Sequence, residues 1–427
     1  MKIAFVTQPW DIIVPAFGGS TSIPIIAYQL AARLAKRHAV TLYGRQDARQ
    51  PLIEQDDLGI TYRRISLKKE DLLLKPFKFL DRIAGRRLAN RPLFNAGFYY
   101  QGYARQIAQE LGRGKYDIIH VYNFSQFAPI MRRYNPDSKI VLHMHCEWLT
   151  QLDAGQIAQR LEAVDLILGC SPHITGKIQA RFPQHAARTR TLFNGVDTRN
   201  FTGNTTPDKA APRTILFSGR ISPEKGIHVL LDAFTRIART FPHARLVLVG
   251  MAAAAPLRFI VGLSDEKPVQ ELQRFYTGEP YLAQLQRRIP PELQDRVFFA
   301  GFTPHAEVAR YYRQADILVN PSLSEAFGMS LIEAMSAGLP VVATRAGGMV
   351  DIVVDGQTGF LVPPDDATAL AQAVLALLQD DNLRRAMGQT GRKRAVACFD
   401  WDIIAENLDA FYQTLAAPDG RPLYPVA

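Results

Sequence analysis

Short apolar, β-branched runs alternate with longer amphipathic stretches along the whole chain, and this alternation restricts the fold more than any other feature. In the first half the runs are KIAFVT, AVTLYG, TYRRIS, DIIHVY, KIVLHMH, DLILGC and RTLFNG. In the second half they are RTILFSG, RLVLVG, RVFFAG, DILVNPS, PVVAT and GFLVP. Helix-period patterns lie between most of them, as at 24–37, 96–111 and 154–162. A strand that is apolar on both faces needs cover on both, and an intervening helix returns the chain for parallel pairing. Two consecutive sets of such units predict an α/β protein of two Rossmann-like, doubly wound parallel-sheet domains. The length fits this reading, because 427 residues exceed one ordinary core and 47% hydrophobic residues can fill two.

The Gly-, Pro-, Thr- and Asn-rich stretch NGVDTRNFTGNTTPDKAAPR, residues 194–213, reads as the linker. The expected domains are therefore 1–200 and 201–398. Residues 399–427 begin with FDWDIIAENLDAFYQTL, an amphipathic helix that would cross back to the first domain, capped by Asp400 or Asp402. Residues 251–285 are long for a strand-to-helix connection and read as an inserted excursion.

Several function classes are disfavoured at this level. No run of about 18 uncharged apolar residues is present to span a bilayer. MKIAFVTQPW lacks the apolar region and cleavage site of a signal peptide. Cys146, Cys170 and Cys398 are odd in number and form no C-x-x-C pair, which points to a reducing cytoplasm. No G-x-G-x-x-G follows the first strand, and the histidines lack zinc-type spacing. The net charge is +10, but residues 61–91 hold ten basic and three acidic side chains, so +7 of it sits in one segment. That argues for one local anionic partner rather than nucleic acid. Between Arg63 and Arg91 the charges interleave with leucines and phenylalanines. Three readings remain open for this segment: peripheral contact with an anionic membrane at its inner face, a solvated excursion, or a site for a soluble anionic acceptor.

Ligands of open parallel sheets bind beyond the carboxyl ends of the strands, so the loops there carry the candidates. NPSLSEAFGMSLIEAMSAGLPVVAT, residues 320–344, places Glu325 in such a loop, starts a helix near Phe327 and Gly328, and puts Glu333 inside it. A helix start offers free N–H groups to a diphosphate, and two carboxylates can grip hydroxyls on either side. Two glutamates at this spacing alone more often belong to an ordinary exposed helix. FSGRISPEKGIHVLLDAF, residues 217–234, adds Arg220 and Lys225 in the loop after another strand, a cation pair suited to phosphate without a metal ion. Gly347 and Gly348 follow PVVAT, where close backbone approach to a ligand is expected.

GRISPEKG, SEAFGMSLIEAMSAGLPVVAT, GGMVDIV and DGQTGFLV stand in the order and spacing of the retaining glycosyltransferases of family 4, the group 1 superfamily with the GT-B fold, which residues 214–365 resemble. In the first half the likeness is looser: the opening strand, the Gly18–Gly19 loop, the strand ending at His145, and NGVD at 194–197. The resemblance implies two domains facing across a cleft, and transfer of a sugar from a nucleoside-diphosphate sugar to an acceptor hydroxyl with retention. It also implies no metal and no cofactor beyond the donor substrate, with a glycan, a lipid-linked molecule or a small molecule as acceptor, in glycan, glycolipid or glycoconjugate synthesis. By the same resemblance Arg220 and Lys225 hold the diphosphate, and Glu325 meets the transferred sugar. Backbone N–H groups near Phe327 and Gly328 contact sugar or phosphate, and Glu333 binds the ribose. His145 lies near the donor sugar, and Gly18 and Gly19 let a loop close over the phosphates. Asp351 stands where many members have Glu, and the loop after RLVLVG lacks the usual second glycine, which leaves the nucleotide base open. His143 shares a strand face with His145 and is the alternative histidine. The rival functions are a sugar-nucleotide epimerase or hydrolase on the same scaffold, and a non-catalytic sugar-nucleotide-binding protein.

Overall fold

A computed structural model of the chain describes residues 1–15, 21–84, 92–201 and 212–417. Two compact units emerge: Met1–Asn194 with Trp401–Ala427, and Gly195–Asp400. Gly18, Gly19, residues 202–211 of the linker, and the basic residues Arg86, Arg87 and Arg91 lie outside the described residues.

The first unit holds the strands β1 (Lys2–Val6), β2 (Ala39–Arg45), β3 (Ile53–Gln55), β4 (Thr61–Ile65), β5 (Ile118–Tyr122), β6 (Lys139–Met144), β7 (Leu166–Gly169) and β8 (Thr189–Thr191). Their order across the sheet is β3-β4-β2-β1-β5-β6-β7-β8. Pairing is parallel, as in Ile3↔Ile118 and Tyr122↔His143, except for the β3–β4 pair. Every residue of β5 is buried, as a strand with helices on both faces requires.

Three details of this unit depart from the sequence reading, each for a local reason. β3 is a short antiparallel edge strand with exposed Ile53 and Gln55, too brief and too polar to show as a strand. β8 ends at Thr191 instead of running through RTLFNG; the N–H of Leu192 still reaches Gly169 O at 3.0 Å, and the backbone then leaves the sheet. The helix expected over 96–111 is Gln101–Gly114, because Tyr100 adopts a left-handed conformation with φ 52° just before it. Its first N–H groups, those of Gly102 and Tyr103, donate to Glu70 Oε1 and Oε2 at 2.7 and 2.9 Å. That cap comes from a residue about thirty positions away, which no local pattern displays.

The second unit holds β9 (Thr214–Ser218), β10 (Arg245–Val249), β11 (Val297–Gly301), β12 (Ile317–Asn320), β13 (Val341–Thr344) and β14 (Gly359–Val362), in the order β11-β10-β9-β12-β13-β14. Leu246, Leu248, Ile317, Val319 and Val342 of the sheet pack with Leu230, Phe234 and Ile237 of helix Ile227–Thr240 and with Leu370, Val374 and Leu377 of helix Ala367–Gln379. The excursion at 251–285 belongs to this core: Val261, Val269, Leu272, Tyr281 and Leu285 are all buried within it.

The helix Trp401–Ala416 packs in the first unit. Asp402 pairs with Arg33 Nε at 2.5 Å, Asp409 with His38 Nε2 at 2.8 Å, and Tyr412 OH is 2.7 Å from His120 Nδ1. Asp400 accepts a hydrogen bond from the Thr198 hydroxyl inside the second unit.

Candidate donor site

Both sheets have a point where the strand order reverses: β1 between β2 and β5, and β9 between β10 and β12. Loops diverge there and leave a crevice at the carboxyl ends of the strands. In the second unit the loops after β9 and β12 meet at that point, and they carry Arg220, Lys225 and Glu325.

Two glycines allow these loops to touch. Gly226, at φ +66°, lies so close to the next loop that a Cβ would sit 2.0 Å from Pro321 O. Gly347, at φ +54°, would place one 1.8 Å from Glu325 O. Gly348 N–H also donates to Glu325 O at 3.0 Å. Gly347 and Gly348 thus approach the Glu325 backbone closely and help build its loop. Asn320 completes the frame: its Oδ1 accepts from Ser322 N and Oγ, and its Nδ2 donates to Ser330 Oγ at 3.3 Å, in the first turn of helix Met329–Ser336.

Lys225 Nζ lies 2.6 Å from Glu325 Oε2, so the structure brings these two sequence-derived residues together, both largely buried. Arg220 has a different partner. Its Nη2 donates to Glu224 Oε1 at 2.7 Å, while its Nε is buried without a hydrogen-bond partner. Glu224 is fully buried; it also accepts from the Ser222 hydroxyl, and its backbone carbonyl accepts from Leu323 N–H at 2.8 Å. Glu224 thus fixes one edge of the Arg220 guanidinium and ties its loop to the Glu325 loop. Sequence reasoning passed over it, although it lies inside the GRISPEKG motif.

Helix Met329–Ser336 starts after Gly328, and its first turn carries the positive end of the helix dipole. The Phe327 ring is buried and meets Phe399 edge-on at 6.1 Å, so only its backbone is available to a ligand. Glu333 is 7% exposed and accepts from Tyr312 OH at 2.5 Å. Burial together with the adjacent carboxylate pushes the Tyr312 phenol well above its ordinary range, so it remains a donor. Nothing in the sequence pattern marked Tyr312 as the partner of Glu333. The cation pair and the paired carboxylates of this unit can together neutralise a diphosphate and hydrogen-bond hydroxyl groups.

In the first unit, Asn123 follows β5 at φ 57°, and its Oδ1 accepts from His145 N–H at 2.7 Å. The His145 ring lies 4.1 Å from that of His143, and both its nitrogens are buried without a hydrogen-bond partner. Burial lowers the His145 pKa to about 3, so the imidazole is neutral. The Asn194 side chain opposes this shift without making a bond of normal geometry, and its own Oδ1 is unpartnered. His143 is fully buried, and its Nε2 also has no hydrogen-bond partner. Its Nδ1 is 3.2 Å from His120 Nε2, and His120 leads on to Tyr412, while burial holds both rings well below the usual histidine range. Burial pushes the Cys146 thiol up to about 12, which removes it as a nucleophile. After β1, Asp11 accepts from Gln8 N and Nε2 at 3.0 and 3.1 Å, and burial raises its carboxyl to about 7. No sequence signal set Asp11 apart.

Two doubly wound α/β sheets, parallel but for the β3–β4 pair and each with a reversal point, with a cation-bearing loop pair at one of them, are the architecture of the GT-B glycosyltransferases. Residues 24–200 match the family model described as Glycosyltransferase Family 4, and residues 203–394 match Glycosyl transferases group 1. The chain belongs to family 4 of the group 1 glycosyltransferases. It is 25% identical over 430 residues to spore coat protein SA of Bacillus subtilis, covering 97% of this chain and 99% of that one. Among solved structures it resembles sucrose-phosphate synthase from Thermosynechococcus elongatus, with a TM-score of 0.70, 24% identity, and 97% and 99% of the two chains covered. Anabaena HepE, solved with UDP and glucose, matches at a TM-score of 0.64 and 21% identity over 97% and 99% of the chains.

Proposed function

We propose that this glycosyltransferase uses a nucleoside-diphosphate sugar and transfers the sugar with retention, without a metal ion. The observation that carries the reading is the pair of cations at the reversal point of the second sheet, each held by its own carboxylate and one with a buried, unpartnered N–H. The bond from the anomeric carbon to the diphosphate oxygen breaks, and its electron pair leaves with the diphosphate. The acceptor oxygen bonds to the same face of that carbon, and its proton passes to a diphosphate oxygen. Charge therefore builds on the leaving group, where Arg220, Lys225 and the start of helix Met329–Ser336 act as a fixed field. Glu333, with one oxygen committed to Tyr312, is assigned to the ribose, and Glu325 to the transferred sugar. Neutral His145 is assigned to a sugar hydroxyl. The HepE complex with UDP supports a diphosphate ligand for this scaffold.

The test is a calorimetric panel of UDP-, GDP- and ADP-sugars, followed by turnover with and without candidate acceptors in excess EDTA. The expected result is one preferred nucleotide, sugar transfer that survives chelation, and product of the donor's anomeric configuration by NMR. Loss of activity that Mn²⁺ or Mg²⁺ restores would overturn the metal-free clamp. Release of nucleotide at the same rate with no acceptor, or conversion of the donor to its epimer, would favour a hydrolase or epimerase.

A further inference from the structure

In the helix Lys68–Ala84 of the first unit, the apolar side chains described, those of residues 68–79, are mostly turned outward. Leu74 is its buried anchor. Opposite it Leu72 and Phe79 are each 62% exposed; to one side Leu73 is 70% exposed, and Phe77, half exposed, packs its ring 5.1 Å from that of equally exposed Phe98. A surface helix ordinarily turns its apolar residues inward, and a contiguous exposed apolar patch marks a site of contact with another body.

The charges on the same helix are sorted just as unevenly. Both acids of the first turn are consumed inside the unit. Glu70 caps helix Gln101–Gly114 through Gly102 and Tyr103, while Asp71 accepts from Tyr100 OH at 2.6 Å and pairs with Arg45 at 3.2 Å and Lys78 at 3.3 Å. Lys68, Lys69 and Lys75 are exposed and flank the apolar ridge. At 100° per residue, Lys68 and Lys75 fall beside Phe79 and Leu72, and Lys69 falls between Leu72 and Leu73. The exposed side therefore interleaves hydrocarbon with ammonium groups, and among its described residues no carboxylate is left unpaired to oppose them. A soluble anionic acceptor would use the lysines and leave the leucines and phenylalanines exposed to water. A merely solvated excursion accounts for neither.

We propose that this face, Lys68–Phe79 with Phe98, docks on an anionic lipid bilayer, the apolar ridge entering the interface and the lysines resting among the headgroups. The inference goes beyond the donor chemistry and stands or falls independently of it. The full chain should co-sediment at low salt with phosphatidylcholine vesicles containing phosphatidylserine, and not with phosphatidylcholine alone. Charge reversal of Lys68, Lys69 and Lys75 to Glu should lower the partition coefficient more than about tenfold. Replacing Leu72, Leu73 and Phe79 with Gln should abolish whatever binding survives moderate salt, with an unchanged melting temperature in both variants. A Leu72→Trp reporter should shift its emission to the blue on vesicle addition and be quenched by brominated lipid. Failure of the wild-type chain to bind anionic vesicles at low salt would overturn the proposal, as would retained binding in both variants or an unresponsive reporter. Self-association in sedimentation velocity that the Gln variant abolishes would overturn it too, since a second copy would then be the occupant.

Discussion

Lys225 and Glu325 neutralise each other at 2.6 Å, so a diphosphate that claims Lys225 competes with a carboxylate for its charge. This makes the two residues respond in opposite directions to truncation. Lys225→Ala should weaken nucleoside-diphosphate binding by about 10- to 100-fold, the range for one charge-assisted hydrogen bond, and Arg220→Ala should do the same. Glu325→Ala frees the lysine; it should leave diphosphate affinity unchanged or raise it, while turnover falls at least about tenfold. Glu333→Ala should weaken the sugar-free nucleotide. Calorimetry and single-turnover kinetics on the four variants check the set, and a Glu325 variant that loses nucleotide binding would reverse the donor's orientation.

Asp11 gives a second single-residue expectation. Its carboxyl titrates near 7 in the folded chain against 3.8 as the ordinary value, so the folded state holds its proton across that interval and the unfolded state does not. Stability from this group is greatest below the ordinary carboxyl range and declines as pH rises to about 7. Urea denaturation at pH 5 and pH 8 should therefore show a larger loss for wild type than for Asp11→Asn, by about 1–3 kcal/mol. Equal losses in the two proteins would place the pH dependence elsewhere.

Among the elements, the strands apolar on both faces were legible from sequence because burial on two sides leaves a continuous signature, as in IIHVY and VVAT. The loops bearing Arg220, Lys225, Glu325 and Glu333 were legible because their motifs are compact. What holds those residues was not. Glu224 reads as one more loop carboxylate until its burial is seen, and Tyr312 reaches Glu333 from a separate helix. The cap on helix Gln101–Gly114 comes from Glu70, and the 251–285 excursion contributes to the core through spaced residues without a clear period. The Arg220–Glu224 pair is local but shows itself only through burial, and the others are long-range contacts that local spacing does not encode. The glycines joining the loops provide the test at this scale. Gly226→Ala or Gly347→Ala would place a Cβ within 2.0 or 1.8 Å of a backbone carbonyl at a positive φ, and backbone cannot swing aside as a side chain does. Either variant should lose about 2–4 kcal/mol of stability and most nucleotide affinity together. Thermal melts read beside calorimetry decide it, and a variant that keeps full affinity would show that the loops need not touch.

For the molecule as a whole, the division of the chain has a consequence for folding. The first unit takes residues from both ends of the sequence, while the second is continuous from Gly195 to Asp400. In helix Trp401–Ala416, Trp401, Ile404, Leu408 and Tyr412 are each at most 3% exposed, and Asp409 and Tyr412 also bond His38 and His120. Burying one such side chain contributes about 1.5–3 kcal/mol. Four of them match the entire net stability of an ordinary domain, about 5–15 kcal/mol. Removing the helix would also strip Nδ1 of buried His120 of its partner, at a further cost of about 1–3 kcal/mol. A fragment of residues 1–194 should therefore fail to melt cooperatively, and a peptide of residues 401–417 added in trans should restore the transition in a concentration-dependent way. The fragment 195–400, which keeps its own sheet and core, should unfold cooperatively without help. Circular dichroism melts and amide-proton dispersion of the two fragments provide the measurement. A cooperative transition in 1–194 alone, unaffected by the peptide, would mean that the closing helix adds little to the unit it covers.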